Sequence, residues 1–226
     1  MCGRYTLTVS AAVLAEVFGV SEDPAHLPRY NIAPTQLVPL VLGLEAGGRA
    51  LVRGRWGLVP SWAKDPSIGS RLINARAETV ADKPAFRAAV RHRRGLLPAD
   101  GFYDWVPTGE GKRPHLIRYT DRRVFAFAAL WERWRAPDGS ELVSCTILTT
   151  APNDLVAPLH DRMPVILEPA TWDEWLARDP LGRSRLAELT AACRVDGLEV
   201  LPVSPRVNRP ANDDPGCLAP WAANQR

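Results

Sequence analysis

Val124-Phe125-Ala126-Phe127-Ala128-Ala129-Leu130-Trp131-Glu132-Arg133-Trp134, a turn at Pro137-Asp138-Gly139, and then Leu142-Val143-Ser144-Cys145-Thr146-Ile147-Leu148-Thr149-Thr150 form the stretch that decides the fold. Both runs are rich in aromatic, β-branched and other apolar residues, the composition of buried strands, and a turn signal divides them. Working outward, 95–97, 101–106 and 115–119 before them and 164–167 and 198–203 after them share that character. Upstream, 2–9, 37–44 and 51–59 also predict strands, the last two joined by a turn at Gly47-Gly48. Ser10 is placed to cap a short helix through Val17, with Gly19 as its terminator. Residues 83–92 predict a helix that takes Pro84 in its first turn. Residues 171–177 and 184–193 predict two more. Residues 21–36 and 60–70 predict loops. Strands dominate and do not alternate with helices. The expected fold class is therefore α+β: a single domain over 1–226 with a curled, mostly antiparallel, barrel-like sheet and a few peripheral helices.

A chain of 226 residues, 46% of them hydrophobic, is long enough to bury a substantial core. No apolar run reaches the length of a membrane span and no signal-peptide pattern opens the chain, so a cytoplasmic, nucleoid-associated protein is expected. Cys2, Cys145, Cys193 and Cys217 are scattered without a C-x-x-C pair, which disfavours a zinc site or a disulfide framework. No metal and no organic cofactor is implied. Net charge is only +3, yet between Arg49 and Arg94 eleven Lys/Arg face three acids. That local excess suits a polyanion, or it is simply a solvated basic face. Eight tryptophans, several beside basic residues, suit unstacked bases on a single strand.

The start, Met1-Cys2-Gly3-Arg4-Tyr5, is chemically unusual. Trimming of Met1 would leave a thiol and an α-amine on adjacent carbons. Their reference pKa values, about 8.5 and about 7.7–8.0, make both partly nucleophilic near neutrality. Such a pair condenses with an aldehyde to an imine and closes to a five-membered thiazolidine. The plain alternative is an ordinary cytosolic cysteine.

Three further clusters set polar groups among apolar ones: Asn74 and Arg76 in Leu72-Ile73-Asn74-Ala75-Arg76-Ala77-Glu78-Thr79, Asp104 in Gly101-Phe102-Tyr103-Asp104-Trp105, and His160 and Arg162 in Leu159-His160-Asp161-Arg162-Met163-Pro164. A carboxylate between aromatics is desolvated, which moves its pKa toward the range useful for proton transfer. A histidine suits acid–base work and an arginine suits a phosphate. Each also has a structural reading: Asn74 capping a turn, Asp104 paired with a structural arginine, His160 at the surface. His26, His92 and His115 are expected to be structural or surface residues.

Taken in order, Cys2-Gly3-Arg4-Tyr5, Tyr30-Asn31-Ile32-Ala33-Pro34-Thr35, Trp56-Gly57-Leu58-Val59-Pro60-Ser61-Trp62, Asn74-Ala75-Arg76-Ala77-Glu78-Thr79, Pro98-Ala99-Asp100-Gly101-Phe102-Tyr103-Asp104-Trp105 and His160-Asp161-Arg162-Met163-Pro164 resemble the SOS-response-associated peptidase (SRAP) family of abasic-site processing proteins. The resemblance spans nearly the whole chain and ends in Pro202-Val203-Ser204-Pro205-Arg206-Val207-Asn208. It implies recognition of abasic sites in single-stranded DNA, a protective thiazolidine cross-link to the ring-opened sugar, and removal of Met1. It implies Cys2 as nucleophile, Asn74 as orienting amide, Asp104 as the carboxylate at the amine and His160 as acid–base group. By the same resemblance Arg4, Arg76 and Arg162 hold phosphates, Asn31, Pro34 and Trp62 line or wedge the DNA path, and Thr149 lies near the site. A monomer with possible lyase and peptidase activity is the expectation. One departure stands out. The family has glutamate where this chain has Asp104, whose reach is about 1.5 Å shorter. Two rivals share parts of the pattern. A class II glutamine amidotransferase also starts at Cys, but Arg4 and the lack of an Arg-Gly-Pro-Asp motif oppose it. A non-covalent single-stranded DNA-binding module would need only the basic residues and tryptophans.

Overall fold

The computed structural model describes residues 2–109 and 111–221. Its strands are β1 (Tyr5–Leu7), β2 (Arg29–Ile32), β3 (Leu37–Gly43), β4 (Arg49–Trp56), β5 (Asn74–Arg76), β6 (Arg94–Ala99), β7 (Gly101–Thr108), β8 (Gly111–Tyr119), β9 (Phe125–Arg135), β10 (Glu141–Thr150), β11 (Met163–Pro164), β12 (Ile166–Leu167) and β13 (Leu198–Pro202). The helices are α1 (Ala11–Phe18), α2 (Arg87–His92), α3 (Trp172–Leu176) and α4 (Arg183–Leu189), with short 3-10 turns between elements.

The two central runs pair as an antiparallel hairpin, β9 with β10, in register from Arg135↔Glu141 to Ala129↔Ile147. From there pairing runs β9 to β6, β6 to β3 and β3 to β4, all antiparallel. It then returns from β4 to β10 through a parallel contact, Arg55↔Ser144 and Trp56↔Cys145. Five strands thus close into a barrel, which leaves them no free edge. The short strands β5 and β11 extend this sheet from β10, and β12 extends it from β9. A second, fully antiparallel sheet runs β13-β8-β7-β1-β2. The α+β class with a mostly antiparallel, barrel-like sheet is as the sequence predicts.

Helix α1 forms where its caps place it. The Ser10 hydroxyl accepts from the Val13 amide, and Gly19 ends the helix in the left-handed conformation. Several elements depart from expectation. β2 lies in a segment predicted as loop; its amides at Tyr30 and Asn31 are held by the distant Asp213 carboxylate as well as by β1. β5 pairs parallel with β10, a non-local contact that a three-residue run does not announce. Helix α2 begins only at Arg87, because residues 83–86 form a turn and Phe86 offers no side-chain cap. Strand β4 stops at Trp56, before the predicted end. Gly57 follows at φ 122°, and a Cβ there would lie 2.6 Å from the Gly69 carbonyl oxygen. Only glycine permits that approach, which folds the Trp62 loop back on the barrel.

β1 joins the second sheet to the barrel. Tyr5 and Leu7 are fully buried, and the Tyr5 ring meets Trp56 (5.4 Å) and Phe127 (5.8 Å) edge-on. Asp100, at the bend between β6 and β7, staples this strand. Its carboxylate accepts from the Thr6 hydroxyl (2.5 Å) and from the Thr8 amide (2.6 Å) and hydroxyl (2.5 Å). Asp100→Ala strips partners from three polar groups at once and should lower unfolding stability by about 3 kcal/mol in urea titration. A loss under about 0.5 kcal/mol, the level of an ordinary surface change, would show that the staple does not hold β1.

Candidate functional site

The start of the chain is buried. Cys2 is 1% exposed, and its carbonyl accepts a 2.8 Å hydrogen bond from Asn74 Nδ2 at the head of β5. Asn74 Oδ1 is also buried and has no hydrogen-bond partner among the described residues, so it is an acceptor left open beside the terminus. Burial pushes the Cys2 thiol up to about 12, and the charge of Asp104 adds to the rise. Asp104 comes from β7, is 6% exposed, and accepts from its own neighbour's amide, Trp105 N, at 2.8 Å. Its carboxyl is raised above the ordinary range by desolvation, although that hydrogen bond and nearby His160 oppose the rise. Cys2, Asn74, Asp104 and His160 are therefore neighbours, as the sequence pattern requires.

His160 lies on the loop leading into β11, 28% exposed at its side chain, and its Nδ1 has two neighbours. The Arg162 amide donates to it at 2.9 Å, and Asp161 Oδ1 approaches at 2.7 Å. These are incompatible for one protonation state. A backbone amide can only donate, so in the neutral ring Nδ1 accepts and the proton sits on Nε2. The Asp161 contact needs a proton on Nδ1, and Asp161 is 84% exposed and able to turn away. An open recess of about 500 Å3 is lined by Arg4, Asp104, Trp105, Lys112, His160 and Asn208.

The expected DNA contacts divide. Arg4 reaches the recess as a fixed cation: Nη1 donates to Asn31 Oδ1 (2.7 Å) and the Val207 carbonyl (2.9 Å), and the guanidinium lies 5.6 Å from the Trp105 ring. Asn31 is fully buried. Its Nδ2 donates to the carbonyls of Val207, Arg209 and Asn212, so this side chain ties the C-terminal segment to Arg4 and does not itself face a ligand. Arg162 is likewise engaged. It holds Glu78 through two bonds (2.7 and 2.9 Å) and the Thr149 carbonyl at 2.5 Å, bracing the 74–79 segment against the loop that carries His160. Thr149 is buried and contributes that backbone oxygen. Arg76, at the end of β5, and Trp62, at 61% exposure, both face solvent. Pro34 is half-buried in a turn that Thr35 completes at φ 72°.

Sequence reasoning missed Lys112, Asn208, Glu78 and the place of His115. Asn208 accepts from Trp105 Nε1 at 2.7 Å, and it closes the last stretch of the motif set. His115 is the cross-strand partner of Asp104, a relation that only the β7–β8 register reveals. Among the described residues no cluster of His, Cys, Asp or Glu could hold a metal ion, and no helix is long and apolar enough to cross a membrane.

Comparison with known proteins adds to this geometry. The family model described as SOS response associated peptidase (SRAP) matches residues 1–210. The abasic site processing protein YoqW of Bacillus subtilis is 40% identical over 95% of this chain and 97% of its own length. The abasic site processing protein HMCES of Gallus gallus is 29% identical over 97% of this chain and 78% of its length. A crystal structure of a Bacteroides thetaiotaomicron protein superposes with a TM-score of 0.88 over 98% of this chain and all of that one, at 22% identity.

The pH dependence of Cys2 follows from its burial. With the thiol moved from 9.0 to about 12, the folded chain carrying Met1 holds about a thousandfold less thiolate at pH 8 than an ordinary cysteine. Mass-resolved iodoacetamide labelling should show Cys2 correspondingly slow at pH 8. Neutral Cys2 favours the fold below pH 9, and that contribution is lost as pH rises toward 12. Labelling of Cys2 as fast as that of free cysteine at pH 8 would refute the burial.

Proposed function

Because the chain belongs to the SOS response associated peptidase (SRAP) family, we propose that it processes abasic sites in single-stranded DNA, trapping the sugar aldehyde covalently on Cys2. The names of its relatives support abasic DNA as the substrate. The observation that carries the reading is the buried Cys2, with Asn74 on its carbonyl and Asp104 and His160 beside it at a recess flanked by Arg4.

Release of Met1 comes first, by the chain itself or by an aminopeptidase, because the amine must be free. Met1 lies outside the described residues. The α-amine of Cys2 then adds to C1′ of the ring-opened sugar, and water leaves to give an imine. The thiol sulfur adds to the imine carbon while its proton passes to the imine nitrogen. The thiazolidine thus forms with net loss of one water. Asn74 fixes the Cys2 backbone during these steps, and its open Oδ1 can accept from the amine or from a sugar hydroxyl. Asp104, whose carboxyl burial raises above the ordinary carboxylate range, is placed to give and take protons. His160 opens the sugar ring and shuttles the imine proton. Arg4 and Arg76 supply the positive charge for flanking phosphates. Arg162 acts on the site through Glu78 and Thr149. Lyase activity is the reverse-side consequence of the same imine.

Intact mass should show loss of Met1, and mixing with an abasic single strand should add the oligonucleotide less one water. A denaturing gel should show the shifted band, and Cys2→Ala should abolish it. A shift that persists with both amine and thiol blocked would sink the thiazolidine mechanism. Non-covalent binding alone would indicate a DNA-binding module, and ammonia release from glutamine an amidotransferase. The short Asp104 side chain gives a further expectation. Asp104→Glu should alter the rate of adduct release more than adduct yield, while Asp104→Asn should slow cross-linking at least tenfold, within the usual effect of a lost acid–base group. Unchanged rates in both variants would remove Asp104 from the chemistry.

A further inference from the structure

A second recess, of about 560 Å3, lies between α2 and α4 and does not include Cys2, Asp104 or His160. Its walls carry Arg87, Arg91, His92 and Arg183, and its floor is made by Val90, Leu181 and Leu186. Arg87 and Arg91 are four residues apart on α2 and so share a face. Both are exposed, and among the described residues neither guanidinium makes a hydrogen bond or an ion pair. Arg183 is different: Asp82 neutralises it at 2.9 Å. The recess therefore offers two uncompensated guanidiniums over an apolar floor.

It is also connected to the cross-linking site. A shallower recess shares Ala81, Arg183 and Leu186 with it and runs to Ala77, Glu78 and Thr150. Glu78 is the carboxylate that holds Arg162, two residues from His160. Exposed Arg76 and Lys83 lie along the chain between the two ends and also lack ion pairs among the described residues. Four other arginines of the basic stretch are otherwise employed: Arg49 binds Asp173, Arg53 binds Asp23, Arg93 binds Glu132, and buried Arg94 donates to main-chain carbonyls. Of the cations left without an ion pair among the described residues, Arg76, Lys83, Arg87 and Arg91 lie on the side that leads away from the site toward α2, while Arg55, Lys64 and Arg71 lie on β4 and the segment after it.

We propose that the α2–α4 recess is a second anchoring site for the DNA strand. There Arg87 and Arg91 hold phosphates of nucleotides remote from the lesion, and the apolar floor meets the sugar or base edges. The proposal rests on the single-strand reading of the function and extends it to a defined remote contact. An acidic wall is present too: Glu78 and Asp82 flank the connecting trench, so the backbone is expected to touch the α2 side of it.

The test uses the full chain, its Arg87→Gln/Arg91→Gln double variant and a Lys/Lys counterpart, all with melting temperatures checked. Binding of undamaged single strands of about 4 and about 16 nucleotides is measured by fluorescence anisotropy across a salt series. Removing two phosphate contacts should reduce the log–log salt slope for the long strand by about 1.4, so that wild type gains about 25-fold over the variant between 1 M and 0.1 M salt. The short strand should be unaffected, cross-linking of a short abasic strand should proceed normally, and the Lys/Lys protein should retain the slope. An unchanged slope for the long strand overturns the proposal. So does equal weakening of short and long strands, which signals general electrostatics, and so does full competition by inorganic phosphate alone, which signals a small-anion site. If cross-linking fails even in wild type while the length-dependent slope change remains, the covalent function is wrong and the anchoring site stands.

Discussion

Burial of Cys2 and of β1 is the constraint on which the rest depends. β1 has no exposed side chain, so each polar group near it needs a partner inside the protein. Asp100 answers Thr6 and Thr8, Asn74 answers the Cys2 carbonyl, and Asn31 answers Arg4. Each partner comes from a different element: the β6–β7 bend, β5 and β2. Placing the terminus therefore requires both sheets to be assembled. The same burial that secures the segment also withdraws water from Cys2 and Asp104 and lifts both pKa values.

Much of this was legible in the sequence, and the gaps have physical causes. Features that depend on neighbours in the chain were readable: the Ser10 and Gly19 caps, the Gly47-Gly48 turn and the long strands β9 and β10. Features that depend on distant partners were not. β2 needs Asp213, and β5 needs a parallel partner in β10. Residue type was readable at the site, but commitment was not. Arg162 has the chemistry of a phosphate clamp, yet Glu78 holds it in a bidentate pair that only the fold creates. Asn31 is a plausible ligand contact by type, yet all its hydrogen-bonding capacity turns inward.

The basic stretch shows the same distinction at larger scale. Eleven cations in 46 positions suggest a uniform polyanion surface. The fold instead sorts them. Arg94 is buried among carbonyls, and others pair with acids on α3 and β9. Paired cations have little left to offer a phosphate, since a rival carboxylate already occupies the guanidinium fork. What remains available is a smaller set, of which Arg76, Lys83, Arg87 and Arg91 lie toward α2 and Arg55, Lys64 and Arg71 on β4 and the segment after it.

Asp104 brings the argument back to register. A carboxylate shorter by one methylene has to be compensated by backbone approach, by water or by a different proton route. Pairing in β7–β8 puts His115 directly opposite, where side chains of an antiparallel pair stand about 4.5–5.5 Å apart at Cβ. Burial lowers the His115 pKa, so that ring is neutral at physiological pH and brings no cation to Asp104. His115 therefore does not pull the carboxyl back toward its ordinary value, and the Trp105 amide bends one oxygen toward its own backbone. The environment leaves the short arm short and its carboxyl raised above the ordinary range by burial. In the proposed reaction that favours proton exchange with a mobile carrier over direct contact with the amine, and His160, at the mouth of the same recess, is the side chain placed to be that carrier.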